Sequence, residues 1–189
     1  ISKKYKLKVI SDTAQSPGAL YKNCFAGTIT DIGGFSLNYH KHIHCGEGGL
    51  LVTNNDALAY KAKLIRNHGE AVIKSHDIDE LCNVIGHNFR LGEIEAAIAI
   101  EQLKKLPKFI KSRQRAAKRL ENGLKNLEGI NMPFVQDGCS HVYYIFGMSL
   151  KDNFVCSRES LVKALQAEGV PGLLSGYQNI HLNPIFRKR

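Results

Sequence analysis

The sequence contains no apolar run that approaches the roughly 20 consecutive residues of a membrane-spanning helix. It also contains no internal repeat and no low-complexity segment. The composition is that of an ordinary globular chain, since 43% of the 189 residues are hydrophobic and 23% are charged. Such a chain can build one sizeable core or two small lobes.

Paired cysteines are also missing. The count of five is odd, and no two cysteines form a C-x-x-C pair. This pattern argues against a disulfide framework and against a structural zinc site, and it favours a reducing cytoplasm. The cysteines are Cys24, Cys45, Cys82, Cys139 and Cys156.

The two ends of the chain indicate neither a signal peptide nor a complete protein. The basic start is followed by neither an apolar core nor a small-residue cleavage site, so it is not a signal peptide. The chain begins at Ile1 without an initiator Met and almost at once enters the strand-like run 7–10. We therefore expect a piece of a longer protein that is cut at its C-terminus as well.

The net charge of +9 is concentrated in one segment. A solvated helix face explains it most simply. Attraction of an anionic substrate is an alternative, whereas no aromatic interleaving or recognised motif supports nucleic-acid binding. The basic residues of this segment are Lys104, Lys105, Lys108, Lys111, Arg113, Arg115, Lys118, Arg119 and Lys125.

Short apolar runs that end in polar residues predict buried strands at 8–10, 34–37 and 50–53. The helical pattern 56–66 follows, with Asn54 or Asn55 as its N-cap. A second helix is predicted over 91–103, and Pro107 should break or kink it.

A third helix is predicted to run from Pro107 to about Leu127 and to close at Gly129. Beyond it, strands at 131–135 and 141–150 around an Asp-Gly turn precede a helix over 158–167, which Ser157 caps and Gly169 stops. We therefore expect one domain over 1–106 and a second over 107–189, the latter made of the long linking helix and a small lobe.

Several residues could carry chemistry, although each is ambiguous alone. Asp12 follows a strand, which suits a functional carboxylate or an ordinary turn. Gln15 means little by itself. Ser36, near a strand end, could donate to a phosphate, although most such serines are structural. The run Gly46-Glu-Gly-Gly49 matches neither a dinucleotide-binding nor a P-loop pattern and predicts a tight turn.

The alternating His40, His42 and His44 raise the possibility of a metal site. Apart from Cys45, no acidic or cysteine partner stands at ligand spacing, and Lys41 between the histidines would repel a cation. Surface histidines, or histidines that support a neighbouring site, are favoured, and no metal is expected.

Taken together, the ordered motifs resemble the DegT/DnrJ/EryC1/StrS family of aminotransferases, which depend on pyridoxal 5'-phosphate (PLP) and act on nucleotide-linked keto-sugars. The resemblance covers nearly the whole chain. Its motifs are Asp12-x-Ala-Gln15 with Gly18-Ala19, Phe35-Ser36, Lys41, Gly46-Glu-Gly-Gly49 with Thr53-Asn54, Arg66-Asn-His-Gly69, Gly86-His-Asn88-Phe-Arg90, Glu93-x-x-Ala-Ala-Ile98, Gln102-Leu103 and Tyr177-x-x-x-His181-x-x-Pro184.

The resemblance implies the α/β fold of fold-type I aminotransferases. The chain would supply part of the large, mainly parallel PLP-binding domain and the small C-terminal α/β lobe. The family's N-terminal half, with its phosphate-gripping loop and ring-stacking aromatic residue, is absent from this chain, so the chain alone is expected to be inactive.

The resemblance also implies roles for single residues. Lys41 would form the Schiff base with PLP and move the proton, and Asp12 would pair with the pyridine nitrogen. Gln15 would bind the phenolic oxygen and Ser36 the phosphate. Asn88 would reach the phosphate of a neighbouring subunit in a homodimer. The alternatives are that Arg90 serves there instead, or that both residues are only structural.

The expected reaction is amino transfer from an amino acid, with glutamate as the family's donor, to a keto-sugar nucleotide. Some relatives carry histidine in place of the lysine and are dehydratases, but Lys41, not His40, stands five residues after Ser36. A non-catalytic basic binding or regulatory protein with the same fold is the remaining alternative.

Overall fold

The structure is a computed structural model that describes residues 1–69 and 84–188. Its contacts divide the chain into two units. The first contains residues 1–123 and 134–146, and the second contains 124–133 and the residues from Gly147 onwards. The domain boundary expected between Leu106 and Pro107 stays a prediction, and Cys82 lies outside the described residues.

Among its described residues, the first unit contains the short helix α1 (Ser2–Tyr5) and two three-stranded sheets. Its strands are β1 (Ile10–Asp12), β2 (Leu20–Tyr21), β3 (Cys24–Phe25), β4 (Ile32–Ser36) and β5 (Gly49–Val52). β4 lies between β1 and β5, parallel to β1 and antiparallel to β5. β2 pairs with β3 and with β7 (Cys139–Ser140), antiparallel to both.

The first strand is displaced from its predicted position at 8–10. Asp31 explains the shift, because its carboxylate accepts from the Val9 amide at 2.9 Å and pairs with the Lys8 amine at 2.9 Å. The regular ladder with β4 therefore begins only at Ile10, which pairs with Ile32.

Helix α2 (Asp56–Arg66) has the predicted bounds. The Asn55 side chain accepts from the Leu58 amide at 3.0 Å, so Asn55 rather than Asn54 is the N-cap. Leu64 is the residue that α2 buries.

The prediction that Pro107 separates two helices is wrong, because one helix, α3 (Glu93–Leu124), runs through it. Proline removes only one amide donor, and the turns on both sides of it are long enough to continue the helix. The adjacent Leu106 is buried in the core, which holds this part of α3 in place. On the turns before the proline, Ile94 and Ile98 are exposed.

A core cluster joins α3 to the loop between β4 and β5. Leu37, Ile43, Cys45 and Leu106 are buried in it, and Leu91, Ala99, Phe109 and Ile110 pack against it. Burial raises the pKa of the Cys45 thiol, and its Sγ donates to the Glu47 carbonyl at 3.4 Å. Cys45 is therefore a packing residue of this loop.

The extended strand predicted over 141–150 is also wrong. Only β7 before it and β8 (Ser149–Leu150) at its end pair with other strands. Between them, side chains of α3 take up the backbone carbonyls: Gln114 donates to the His141 oxygen at 3.0 Å, and Arg113 to the Tyr143 oxygen at 3.0 Å. Groups bonded in this way are not available for a strand ladder.

The second unit pairs β6 (Ile130–Asn131) with β8 in antiparallel fashion. β6 is shorter than the predicted 131–135, because Pro133 has no amide hydrogen to donate. Helix α4 (Arg158–Ala167) has its predicted bounds, and Ser157 caps it by accepting from the Ser160 amide at 3.1 Å. Gly169 follows with φ of 82°. A 3-10 turn (Ile180–Leu182) and α5 (Pro184–Arg187) come last.

Within the described ranges, 1–69 and 84–188, no helix combines the length and apolar character that a membrane crossing requires.

Two neighbouring glycines of β4 provide a test of the sheet. A Cβ on Gly33 would overlap the Gly27 carbonyl oxygen and lie 2.7 Å from the Gly27 Cα, whereas a Cβ on Gly34 would come no closer than 4.0 Å to the Ser11 oxygen. We expect Gly33→Ala to lower the free energy of unfolding by at least about 2 kcal/mol, because two backbones must move apart. Equilibrium urea denaturation measures this change.

Gly34→Ala is the matched control. It should leave the free energy of unfolding unchanged or raise it by up to about 1 kcal/mol, because alanine loses less backbone entropy on folding. Equal destabilisation by the two substitutions would contradict the close approach of Gly27 to β4.

Candidate active site

The sheet brings polar residues from separate strands to one edge. β1 and β4 are parallel, so Asp12 and Ser36 end their strands at the same edge. Ser36 pairs with Gly49, so the glycine turn before β5 lies there too. The carboxyl ends of parallel strands are the usual position of ligand sites in α/β proteins.

Lys41 lies in the loop that joins β4 to β5 at this edge. The loop is closed by hydrogen bonds from the Leu37 amide to Gly48 at 2.8 Å and from the Cys45 amide to Leu37 at 3.1 Å. The Lys41 amide itself donates to the Asn38 oxygen at 2.9 Å. The backbone that carries the Lys41 amine is therefore held in a closed, core-anchored loop.

The polar groups of Asp12 and Ser36 retain free bonding capacity. Asp12 Oδ1 accepts from the Ala14 amide at 3.1 Å, and in the described part of the chain Oδ2 has no hydrogen-bond partner. Ser36 Oγ accepts from the Asn38 amide at 3.2 Å, so its O–H is free to donate. Gln15 is exposed in the turn after Asp12.

Tyr144 contacts Lys41 and was missed by the sequence analysis. The Lys41 Nζ lies 4.8 Å from the centroid of the Tyr144 ring, within the range of a cation–π interaction. More than a hundred positions separate the two residues, and no spacing rule connects them. The only sequence signal was the aromatic content of the segment 141–146, which was interpreted as a strand.

His42 differs from the other two histidines of its run. It is buried, with 5% of its surface exposed, whereas His40 and His44 are exposed. Surface exposure, the first of the two alternatives, therefore applies to His40 and His44 but not to His42, which contacts the carbonyl of Val142. Among the described residues, no cluster of three His, Cys, Asp or Glu side chains could hold a metal ion.

Burial lowers the pKa of His42, and the positive charges of Arg113, His141 and Lys41 act in the same direction. The hydrogen bond to Val142 opposes the shift but is the smaller effect. His42 is therefore neutral near pH 7, and its Nε2 donates to the Val142 oxygen at 3.0 Å.

Asn88 stands apart from the other candidate residues. Its backbone forms a bridge with Asn67, and its side-chain oxygen accepts from the Arg90 amide at 3.4 Å. The Arg90 side chain donates to the Asn67 oxygen at 2.8 Å. Over the residues that the structure describes, no hydrogen bond joins Asn88 to Asp12, Ser36 or Lys41.

The groups at the edge fit the functional groups of pyridoxal phosphate. The Lys41 amine can bond to an aldehyde, and the free oxygen of Asp12 can pair with a protonated pyridine nitrogen. The unused O–H of Ser36 can donate to a phosphate. The three residues thus supply an amine, a carboxylate and a hydroxyl donor at one edge of the sheet.

Comparisons with known proteins identify the family. Residues 1–189 match the DegT/DnrJ/EryC1/StrS aminotransferase family, to which the chain therefore belongs. The UDP-4-amino-4,6-dideoxy-N-acetyl-beta-L-altrosamine transaminase of Campylobacter jejuni is 30% identical over 186 residues, which cover 98% of this chain and 47% of the relative. The chain thus spans about half the length of the curated relatives that it matches.

Solved structures agree with this assignment. DesV of S. venezuelae, in complex with a ketimine intermediate, has a TM-score of 0.85 and 27% identity, covering 98% of this chain and 47% of DesV. The GDP-4-keto-6-deoxy-D-mannose-3-dehydratase of E. coli with bound hydrated PLP has a TM-score of 0.77 and 30% identity, covering 89% of this chain and 46% of the dehydratase.

The predicted family and the fold-type I α/β fold are confirmed. The predicted cofactor is confirmed as well, since the members of the family depend on PLP. The roles of Asp12, Gln15, Ser36, Lys41 and Asn88 stay predictions.

His42 makes the stability of the protein depend on pH. Its pKa is lower in the folded state than the usual 6.5, so the unfolded state binds more protons between the two values. As the pH falls below about 6.5, this group reduces the free energy of unfolding by up to about 1.4 kcal/mol per pH unit, until the folded-state pKa is reached.

Urea denaturation of wild type and His42→Gln between pH 7.5 and 5 tests this effect. Glutamine can still donate to Val142 but does not titrate, so the variant should lose less stability on acidification. His44→Gln, at an exposed position, is the matched control and should follow the wild type. Parallel profiles for wild type and His42→Gln would contradict the assignment of His42 as a buried neutral donor.

Proposed function

We propose that the whole protein transfers an amino group from an amino acid to a nucleotide-linked keto-sugar, with PLP as cofactor and glutamate as donor. The observation that carries this proposal is the position of Lys41 on a closed loop at the sheet edge that also holds Asp12 and Ser36. Membership of the aminotransferase family supports it.

The chain's own residues would divide the work at this edge. Asp12 would hold a proton on the pyridine nitrogen, Gln15 would bind the phenolic oxygen and Ser36 would donate to the phosphate. Bound pyridoxal phosphate supplies the electron sink that makes the substrate's C–H bond acidic. Lys41 would hold the cofactor through its amine and, once that amine is free, would move the proton.

Asn88 would complete the site of a neighbouring subunit in a homodimer. Asn88 is exposed. Among the described residues, no hydrogen bond within the chain joins it to Asp12, Ser36 or Lys41. Its anchoring by the Arg90 amide and by the bridge to Asn67 presents its amide group on a defined backbone. Arg90 donates to Asn67 within the chain and is the less available of the two.

The product would be an amino sugar nucleotide for a surface polysaccharide or a secondary metabolite, made in the cytoplasm. The transaminase name of the Campylobacter jejuni relative supports the sugar substrate, and the free thiols among the described cysteines agree with a reducing compartment.

A PLP-dependent sugar dehydratase is the second candidate, because the E. coli dehydratase is also similar to this chain. Lys41 favours amino transfer, since it occupies the position five residues after Ser36 and faces the ring of Tyr144. A dehydratase would release a deoxy sugar and incorporate no nitrogen from the donor.

The full-length protein with PLP, ¹⁵N-glutamate and a panel of keto-sugar nucleotides provides the test. We expect ¹⁵N in the sugar product together with 2-oxoglutarate, and Lys41→Ala should lower the rate at least about 10²-fold. Lys61→Ala, an exposed lysine of α2, is the control and should retain the wild-type rate. Mass spectrometry of the sugar nucleotide measures the outcome.

Two results would overturn the proposal. A deoxy product without ¹⁵N would assign the dehydratase reaction instead. Full amino transfer by Lys41→Ala would show that another residue performs the chemistry.

A further inference from the structure

The Lys41 amine rests against an aromatic ring and not against a carboxylate. Its Nζ lies 4.8 Å from the centroid of Tyr144. None of the ion pairs that the structure describes includes Lys41. The face of an aromatic ring carries partial negative charge, so it attracts an ammonium without forming a bond that the amine must later break.

Tyr144 is held from the α3 side by Arg113. The Arg113 guanidinium donates to the Tyr143 oxygen at 3.0 Å and to the Tyr144 oxygen at 3.4 Å. The Tyr143 hydroxyl donates to Glu121 of the same helix at 3.2 Å. Two consecutive tyrosines are thereby anchored to α3.

The same segment is held from the loop side by His42. Its Nε2 donates to the oxygen of Val142, which is itself buried with 2% of its surface exposed. The rings of His40 and His42 lie 6.3 and 5.8 Å from that of Tyr144. Tyr144 therefore contacts the residues on both sides of Lys41 as well as its amine.

We propose that Tyr144 is a positioning residue for Lys41. The face of the Tyr144 ring holds the Lys41 amine at the sheet edge whenever that amine is not bonded to the cofactor. This inference rests on the proposed function. A free lysine side chain has many rotamers, and only those that keep Nζ at the edge can move a proton there. The ring of Tyr144 restricts that choice.

Substitutions at Tyr144 distinguish the contribution of the ring from that of the hydroxyl. Tyr144→Phe keeps the ring face, whereas Tyr144→Leu and Tyr144→Met keep an apolar side chain without it. In Tyr144→Phe, the Lys41 modification rate and kcat should stay within about twofold of the wild type. The other two variants should lose the attraction between ring and amine, which corresponds to a change of about 3- to 30-fold in these rates.

The first readout needs no cofactor. The full-length apoprotein is treated with an amine-reactive acetyl ester, and the modification rate of Lys41 is followed by peptide mass spectrometry. We expect the Leu and Met variants to react about 3- to 30-fold faster, because the amine is no longer held against the ring. Tyr39→Leu, which removes a neighbouring ring that contacts His40, is the matched control and should react like the wild type.

The second readout is steady-state kinetics of the holoenzyme. The Leu and Met variants should lower kcat by about 3- to 30-fold with little change in the KM for the donor, because the freed amine acts after the donor has bound. Tyr144→Phe should retain kcat. Thermal melting confirms which variants are folded, and the methionine variant provides the test if the leucine variant is not.

Equal Lys41 reactivity in the wild type and the Leu and Met variants would overturn the inference. Equal losses in Tyr144→Phe and Tyr144→Leu would also overturn it, because the hydroxyl and not the ring would then be responsible. If the wild-type holoenzyme shows no amino transfer, the proposed function fails, while the labelling of the apoprotein still decides the contact between Tyr144 and Lys41.

Discussion

Burial of Leu37, Ile43 and Cys45 against Leu106 of α3 holds the loop that carries Lys41 at the sheet edge. Leu37 and Ile43 are exposed to only 2% and 4%, so each contributes about 1.5–3 kcal/mol of hydrophobic burial. Asp12 and Ser36 each accept one local hydrogen bond. The register of β1 and β4 therefore sets the position of the free Asp12 oxygen and the Ser36 hydroxyl at the same edge. The chemistry of this edge therefore rests on apolar packing behind it.

Helix α3 links that packing to the aromatic segment opposite Lys41. Leu106 enters the core cluster, and two turns further along Arg113 and Gln114 bond to the backbone of residues 141–144. One helix thus supports the Lys41 loop and the Tyr144 ring together. An unbroken passage through Pro107 matters for this arrangement, because a break there would uncouple Leu106 from Arg113.

The sequence predicted local structure well wherever local contacts decide it. Both α2 and α4 have their predicted bounds, because Asn55 and Ser157 cap them through side-chain hydrogen bonds to residues three positions ahead. The predictions failed where distant residues intervene. The Asp31 carboxylate delays β1, and Arg113 and Gln114 take up carbonyls of the segment that was predicted as a strand. The family motifs indicated Lys41, but Tyr144 and the burial of His42 depend on long-range packing and could not be predicted.

We infer that Lys41 is the residue that holds the cofactor. This assignment is tested most directly by reducing the full-length protein with borohydride in the presence of PLP, followed by digestion and peptide mass spectrometry. We expect the reduced cofactor on the peptide that contains Lys41, and its absence from that peptide in Lys41→Ala. Attachment to a different lysine, or no attachment to a folded wild-type protein, would contradict it.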